Sequence, residues 1–201
     1  IFTTESEVPD ISYPQPNGSV LQISAGCGMK KSVKIRKYLK QLPSETRILF
    51  VGVRRAHTWS LSTEMGNMFS DVVAYDDVPV GMELSESRHV ICSWESLWKL
   101  QEASPFAVIV LDEHRTLAAI PEVGSKNGVL RGTMKERAPR CAALLERFCG
   151  KANVIFAADA DVTVDNSTDI LLSGIASNKT ITTWTLKKQA LRRSVEYVFT
   201  K

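Results

Sequence analysis

A parallel α/β sheet with helices on both faces is the fold class this sequence predicts, and three observations predict it. Short apolar runs rich in β-branched residues recur along the chain, and helical patterns separate them. Several runs, such as Ile48-Leu49-Phe50-Val51 and Val108-Ile109-Val110-Leu111, are apolar at every position, as strands buried on both faces must be. With 201 residues the chain has room for one domain of roughly 100 to 200 residues and a short appendage.

The elements follow in order. Residues 1–19 carry Pro9, Pro14, Pro16 and Asn17-Gly18, which predicts an irregular, mobile lead-in. Strands are predicted over 20–24, 47–53, 71–75, 89–93, 106–112 and 153–158. Ser32 to Lys40 places Ile35, Tyr38 and Leu39 at helical spacing, with Lys34, Arg36, Lys37 and Lys40 between them as a solvated basic face. Further helices are expected over 56–69, 95–103, 142–149 and 167–173, the third of these stopping at Gly150. Gly124 to Pro139 reads as a long charged loop. Residues 20–178 thus form the lobe, and 179–201 an extended tail in which 181–186 and 195–200 read as strands around the basic stretch Lys187 to Arg193.

Composition bounds the function classes. Hydrophobic residues at 44% and charged residues at 23% exclude collagen-like and disordered chains. A formal charge of +3 is too mild to mark a nucleic-acid protein, so the placement of basic residues has to decide. No apolar run nears the roughly 20 residues that span a bilayer. The cysteines, Cys27, Cys92, Cys141 and Cys149, show no metal spacing and read as reduced, buried thiols, and His89 and His114 have no second ligand nearby in sequence.

Chemistry concentrates where strands end. The first full strand runs into Ala25-Gly26-Cys27-Gly28-Met29-Lys30-Lys31-Ser32 and then a helix. A glycine-containing turn, Lys-Ser and a helix start form a context in which backbone N–H groups cradle phosphates. Against G-x-x-x-x-G-K-[ST], however, Ala25 stands at the first glycine and Lys30 at the second. Far downstream a buried strand ends in Asp112-Glu113, expected beside the strand of the phosphate loop. A carboxylate at that place holds a nucleotide's Mg²⁺, and its neighbour can activate water; the alternative is a cap on the following helix. Arg54, Arg55 and His57 follow another strand and suit a nucleic-acid backbone, or else a solvated helix start. Ser93, Trp94, Glu95 and Ser96 add polar groups and an aromatic that either stacks on a base or packs. Asp159, Ala160 and Asp161 close the last predicted strand, with carboxylates placed to sense the γ-phosphate.

In this order the segments AGCGMKKS (25–32), ILFVGVRRAHT (48–58), VICSWESL (90–97), VIVLDE (108–113), TMKER (133–137) and VIFAADAD (154–161) resemble a known family. It is the superfamily 2 helicase domain of herpesvirus-type replication-origin-binding proteins and their eukaryotic relatives. That resemblance implies a RecA-like P-loop NTPase lobe, the first of two, with ATP and Mg²⁺ as cofactors and DNA as partner. It implies that Gly26 to Ser32 bind nucleotide, with Lys31 on the β and γ phosphates. Ser32 and Asp112 would hold Mg²⁺, and Glu113 would activate water. It assigns Arg54, Arg55, His57 and Ser93 to Ser96 to a nucleic-acid strand, and Asp159 to Asp161 to coupling. Residues 179–201 would lead toward a second lobe, without which the first should not translocate. Location would be intracellular, in the nucleus or at a replication site. Family members carry glycine where Lys30 stands, so a lobe that has lost turnover and serves as an interaction module stays open as the alternative.

Overall fold

The computed structural model describes residues 2–3, 7–53, 55–74, 87–113, 117, 133–160, 174 and 178–186. Its strands are β1 (Phe2–Thr3), β2 (Ser19–Ala25), β3 (Ile48–Gly52), β4 (Val72–Ala74), β5 (His89–Ser93), β6 (Val108–Asp112), β7 (Val154–Asp159) and β8 (Thr180–Leu186). Helices α1 (Lys31–Leu39), α2 (Arg55–Gly66) and α3 (Thr133–Lys151) and a 3-10 helix (Trp94–Leu100) connect them. Every strand pairing is parallel, in the order β1-β8-β2-β7-β6-β3-β5-β4.

Alternation along each strand splits the core into two layers. In β6, Ile109 and Leu111 pack with Leu145 and Phe148 of α3 and with Trp94 and Leu97. Val108 and Val110 face the other way, toward Ile35, Tyr38 and Leu39 of α1 and Met65 of α2. The continuous apolar runs are therefore strands covered on both sides, as predicted. Phe156 on β7 is fully buried beneath α1, its ring edge-on to Tyr38 at 5.0 Å.

Four expectations change. Residues 133–139 are helix rather than loop: α3 begins at Thr133 and carries Pro139 in its interior. Its buried stripe, Ala138, Cys141, Leu144, Leu145 and Phe148, already spans the proline, which is exposed on the opposite side. Of the segment expected as a helix over 95–103, the part up to Leu100 runs as a 3-10 helix that begins at Trp94. Its buried apolar residues Trp94, Leu97 and Leu100, with Ala103 just beyond, recur every third position, which is the period of three residues per turn. Arg147 reaches across from α3 and donates to the carbonyls that end it, at Gln101 (2.8 Å) and Leu100 (3.4 Å).

Thr180–Leu186 is extended, as read, but it is a strand of the sheet, hydrogen-bonded between β2 and β1. Its side chains at 180–183 are exposed, so its place in the sheet rests on backbone pairing and leaves little apolar pattern. Nor are residues 7–19 of the lead-in loose: Val8 and Ile11 are buried in the α1 layer. The expected helix over 167–173 and the tail beyond Leu186 lie outside the described residues. No helix among the described residues is long and apolar enough to cross a membrane.

Removing the Phe156 ring should leave a cavity between β7 and α1. Phe156→Ala is expected to lower the unfolding free energy by about 3–5 kcal/mol in a denaturant titration followed by circular dichroism.

Candidate nucleotide-binding site

Because all strands run the same way, the turns that follow them gather at one edge of the sheet. β2 ends at Ala25 and the chain turns back through Gly26 to Lys30 into α1. Met29 anchors that turn: its side chain is 1% exposed, and its N–H donates to the Gly26 carbonyl at 3.3 Å. Gly28 takes a φ of 81°, a left-handed conformation that costs glycine nothing. Lys30 takes a φ of 60° at the N-cap of α1, with no side-chain cap. The position where the phosphate-loop pattern has its second glycine thus does demand a left-handed backbone, and a lysine meets it at a cost of about 1 kcal/mol.

The first turn of α1 has no acidic residue, and its last turn carries Arg36 and Lys37. Its N–H end is accordingly left open to an anion. Lys31 folds its ammonium back onto the carbonyls that end β2, contacting Ala25 and lying 3.3 Å from Gly26. Burial pulls the Lys31 ammonium below its ordinary pKa, while Cys27, Asp112 and Asp159 act in the opposite direction. The charges of carboxylates on β6 and β7 thus reach the lysine of the turn.

β7 mediates this convergence. The sequence reading set the Asp112 strand beside the phosphate-loop strand, but β7 lies between them, paired with β2 on one side and β6 on the other. In register, Asp159 stands opposite Ser24, and Ala158 opposite Asp112. Sheet order places the carboxylate of β7 next to the turn and that of β6 one strand further. Between α1 and α2 opens a cleft of about 370 Å³ lined by Gly28 to Val33, Arg36, Leu61, Glu64 and Asp112. Lys31, Ser32 and Asp112 therefore share one cavity. Glu113 follows with an exposed side chain and a φ of 56°, its N–H donating to the Asp112 carboxylate at 3.2 Å. Among the described residues no three His, Cys, Asp or Glu side chains gather as a metal site in their own right. The Ser32 hydroxyl and the Asp112 carboxylate are hard oxygen donors that suit Mg²⁺ arriving with phosphates.

Several predicted site residues are placed differently. Trp94 is 2% exposed and packed in the α3 layer, so no ring face is left for a base. Ser93 and Ser96 are also buried, their hydroxyls 3.0 Å apart and satisfying each other. Of that segment only Glu95 is exposed, and its charge repels phosphate. Asp159 is buried and Ala160 exposed at the end of β7. Arg54 and Asp161 lie outside the described residues, as do the side chains of Arg55 and His57, whose backbone opens α2.

The basic face of α1 is not simply solvated. Lys30 pairs with Glu7, Lys34 with Asp10 at 2.8 Å, Lys37 with Asp10 at 2.6 Å, and Arg36 with Glu64 of α2. Those lysines hold the Asp10 carboxyl down at about 2. Glu7, Asp10 and Glu64 do not stand out in the sequence, because their partners lie 23 to 28 positions away. At the opposite, amino edge, His89 is buried with Nδ1 2.5 Å from Asp71 and its ring stacked on Phe69.

No protein-family model matches the chain, and neither does any curated protein. Solved structures do. Yeast (S. cerevisiae) Dbp5 bound to RNA and ADP BeF3 is 16% identical with a TM-score of 0.54, over 89% of this chain and 43% of that one. A Dbp5 variant bound to Nup159, Gle1, IP6 and ADP is 13% identical with a TM-score of 0.57, over 86% and 44%. The helicase MrfA bound to DNA is 12% identical with a TM-score of 0.53, over 85% and 24%. At these identities the likeness is one of fold: the sheet and its helices match the RecA-like lobes of those structures. The chain spans less than half the length of each of these structures.

All four cysteines are free; Cys27 is exposed in the turn, and Cys92, Cys141 and Cys149 are buried. Burial pushes the Cys149 thiol up to about 12 and raises Cys92 and Cys141 as well. A thiol reagent should therefore titrate one cysteine in the folded chain and four after denaturation. Peptide mapping should assign the fast one to Cys27.

Proposed function

We propose that the chain is the first lobe of an ATP-dependent helicase, binding Mg-ATP in the cleft between α1 and α2 and a nucleic-acid strand along the same sheet edge. The observation that carries this reading is the shared cavity of Lys31, Ser32 and Asp112 at the carboxyl ends of parallel strands, where open α/β sheets bind ligands. The Lys31 ammonium would leave the Ala25 and Gly26 carbonyls for the β and γ phosphates. Ser32 and Asp112 would hold Mg²⁺, which neutralises charge developing on the phosphates. Glu113, exposed beside Asp112, would take a proton from the attacking water, and Asp159 would relay occupancy from β7. Arg54, Arg55 and His57 would grip the strand backbone by charge.

DNA as the strand, replication origins as the target and a replication site as the location follow from the sequence resemblance and belong to this proposal. So does a second lobe, whose arginines would stabilise transfer. A second reading, a lobe that binds without turning over, is favoured by Lys30 in the strained position of the loop.

Titrating a fluorescent ATP analogue with Mg²⁺ should give saturable binding that Lys31→Ala weakens at least tenfold; equal, negligible binding by both would remove the nucleotide site. For the strand, log affinity should fall linearly with log salt, and replacing Arg54 and Arg55 should reduce the slope by about two. An unchanged slope would point to diffuse charge instead. Single-turnover phosphate release with the second lobe supplied separates the two readings: the helicase lobe hydrolyses and the binding module does not.

A further inference from the structure

We propose that Glu7 is an internal competitor for the phosphate loop, holding the Lys30 ammonium at the rim of the cleft until a polyphosphate takes its place. The inference rests on the reading of that cleft as a triphosphate site.

Lys30 lines the cleft together with Lys31 and Ser32, yet its ammonium is paired with the Glu7 carboxylate. Lys34 lies 3.9 Å from the other Glu7 oxygen and bonds Asp10 at 2.8 Å. Two features make this an exchangeable contact on a fixed mount. The side chains of Lys30 and Glu7 are 53% and 39% exposed, so a dissolved anion can reach the pair. One residue on, Val8 is 1% exposed, and its N–H donates to the Met29 carbonyl at 3.0 Å. The lead-in is thus fastened to the turn by buried backbone, and only the carboxylate has to swing.

Electrostatics supplies the direction. The Lys30 hydrogen bond, with Lys34 behind it, holds the Glu7 carboxyl below the ordinary carboxylate range, so it is ionised at neutral pH. A carboxylate offers one charge, whereas a triphosphate offers several and also meets the open N–H end of α1. The polyphosphate wins the exchange, but its affinity is lowered by having to displace Glu7. A residue that merely braced the turn would act with the opposite sign, since its removal would loosen the loop and weaken binding.

The test uses the whole chain, a fluorescent ATP analogue with Mg²⁺, and inorganic tripolyphosphate as displacing probe. Glu7→Gln should tighten both ligands roughly two- to fivefold at low salt, the range an exposed pair supplies, and less at high salt. Glu7→Ala should move the same way, with thermal unfolding confirming that each variant is folded. In a Lys30→Met background the gain should vanish. Unchanged or weaker binding by Glu7→Gln overturns the proposal, and so does an equal gain with Lys30→Met, which would assign the effect to the general field. Failure of the cleft reading looks different: the wild type and Lys31→Ala would both fail to bind, and the competitor would fall with the site.

Discussion

Parallel pairing across β2, β7 and β6 is the constraint from which the rest follows. Once Ser24 stands opposite Asp159 and Ala158 opposite Asp112, the ends of three strands reach one edge within a residue of each other. The alanines Ala157 and Ala158 keep β7 slim on both faces where it passes between the phosphate-loop strand and the carboxylate strand. Lys31 follows the ladder of β2 and Asp112 ends that of β6, so each is positioned by backbone pairing that also builds the core. The site therefore inherits the rigidity of the sheet while its side chains stay free to exchange partners.

Burial explains why some predicted groups cannot serve as read. Trp94 begins a segment whose three-residue period turns it inward with Leu97 and Leu100, and the layer against α3 closes over it. An aromatic after a strand end has the same letters whether it stacks or packs, and only the phase of its neighbours distinguishes the two. That phase was available in the sequence, since 94, 97, 100 and 103 form a three-residue series.

Legibility followed the range of the interaction. Both-face burial is written locally, in runs such as 48–51 and 108–111, so the sheet could be read within a residue or two at most strand ends. The turn of the phosphate loop and the acidic strand end were likewise local patterns in a telling order. What escaped depends on distant partners. The extended run over 181–186 was legible, but its place in the sheet was not, because that rests on backbone pairing to β2, some 160 residues away in sequence, as the Thr183–Gln22 bond illustrates. The order β2-β7-β6 was misjudged for a related reason: adjacency of parallel strands leaves no mark on the strands themselves. A proline also concealed the start of α3, although the apolar stripe from Ala138 onward runs straight past it.

Charge pairing shows what such long-range partners do to function. Read alone, the lysines of α1 make a basic face suited to any polyanion. In the fold, Glu7 and Asp10 quench Lys30, Lys34 and Lys37 from one side, and Glu64 quenches Arg36 from the other. Lys31 is treated differently: its ammonium bonds neutral carbonyl dipoles and feels the charge of carboxylates one strand and two strands away. Carbonyls bind an ammonium less strongly than an ionised phosphate does, so Lys31 is held by a weaker kind of contact than the one a phosphate would offer it. A loop arranged this way is electrically quiet at rest, and its affinity is directed at a ligand dense enough in charge to outcompete what already occupies it.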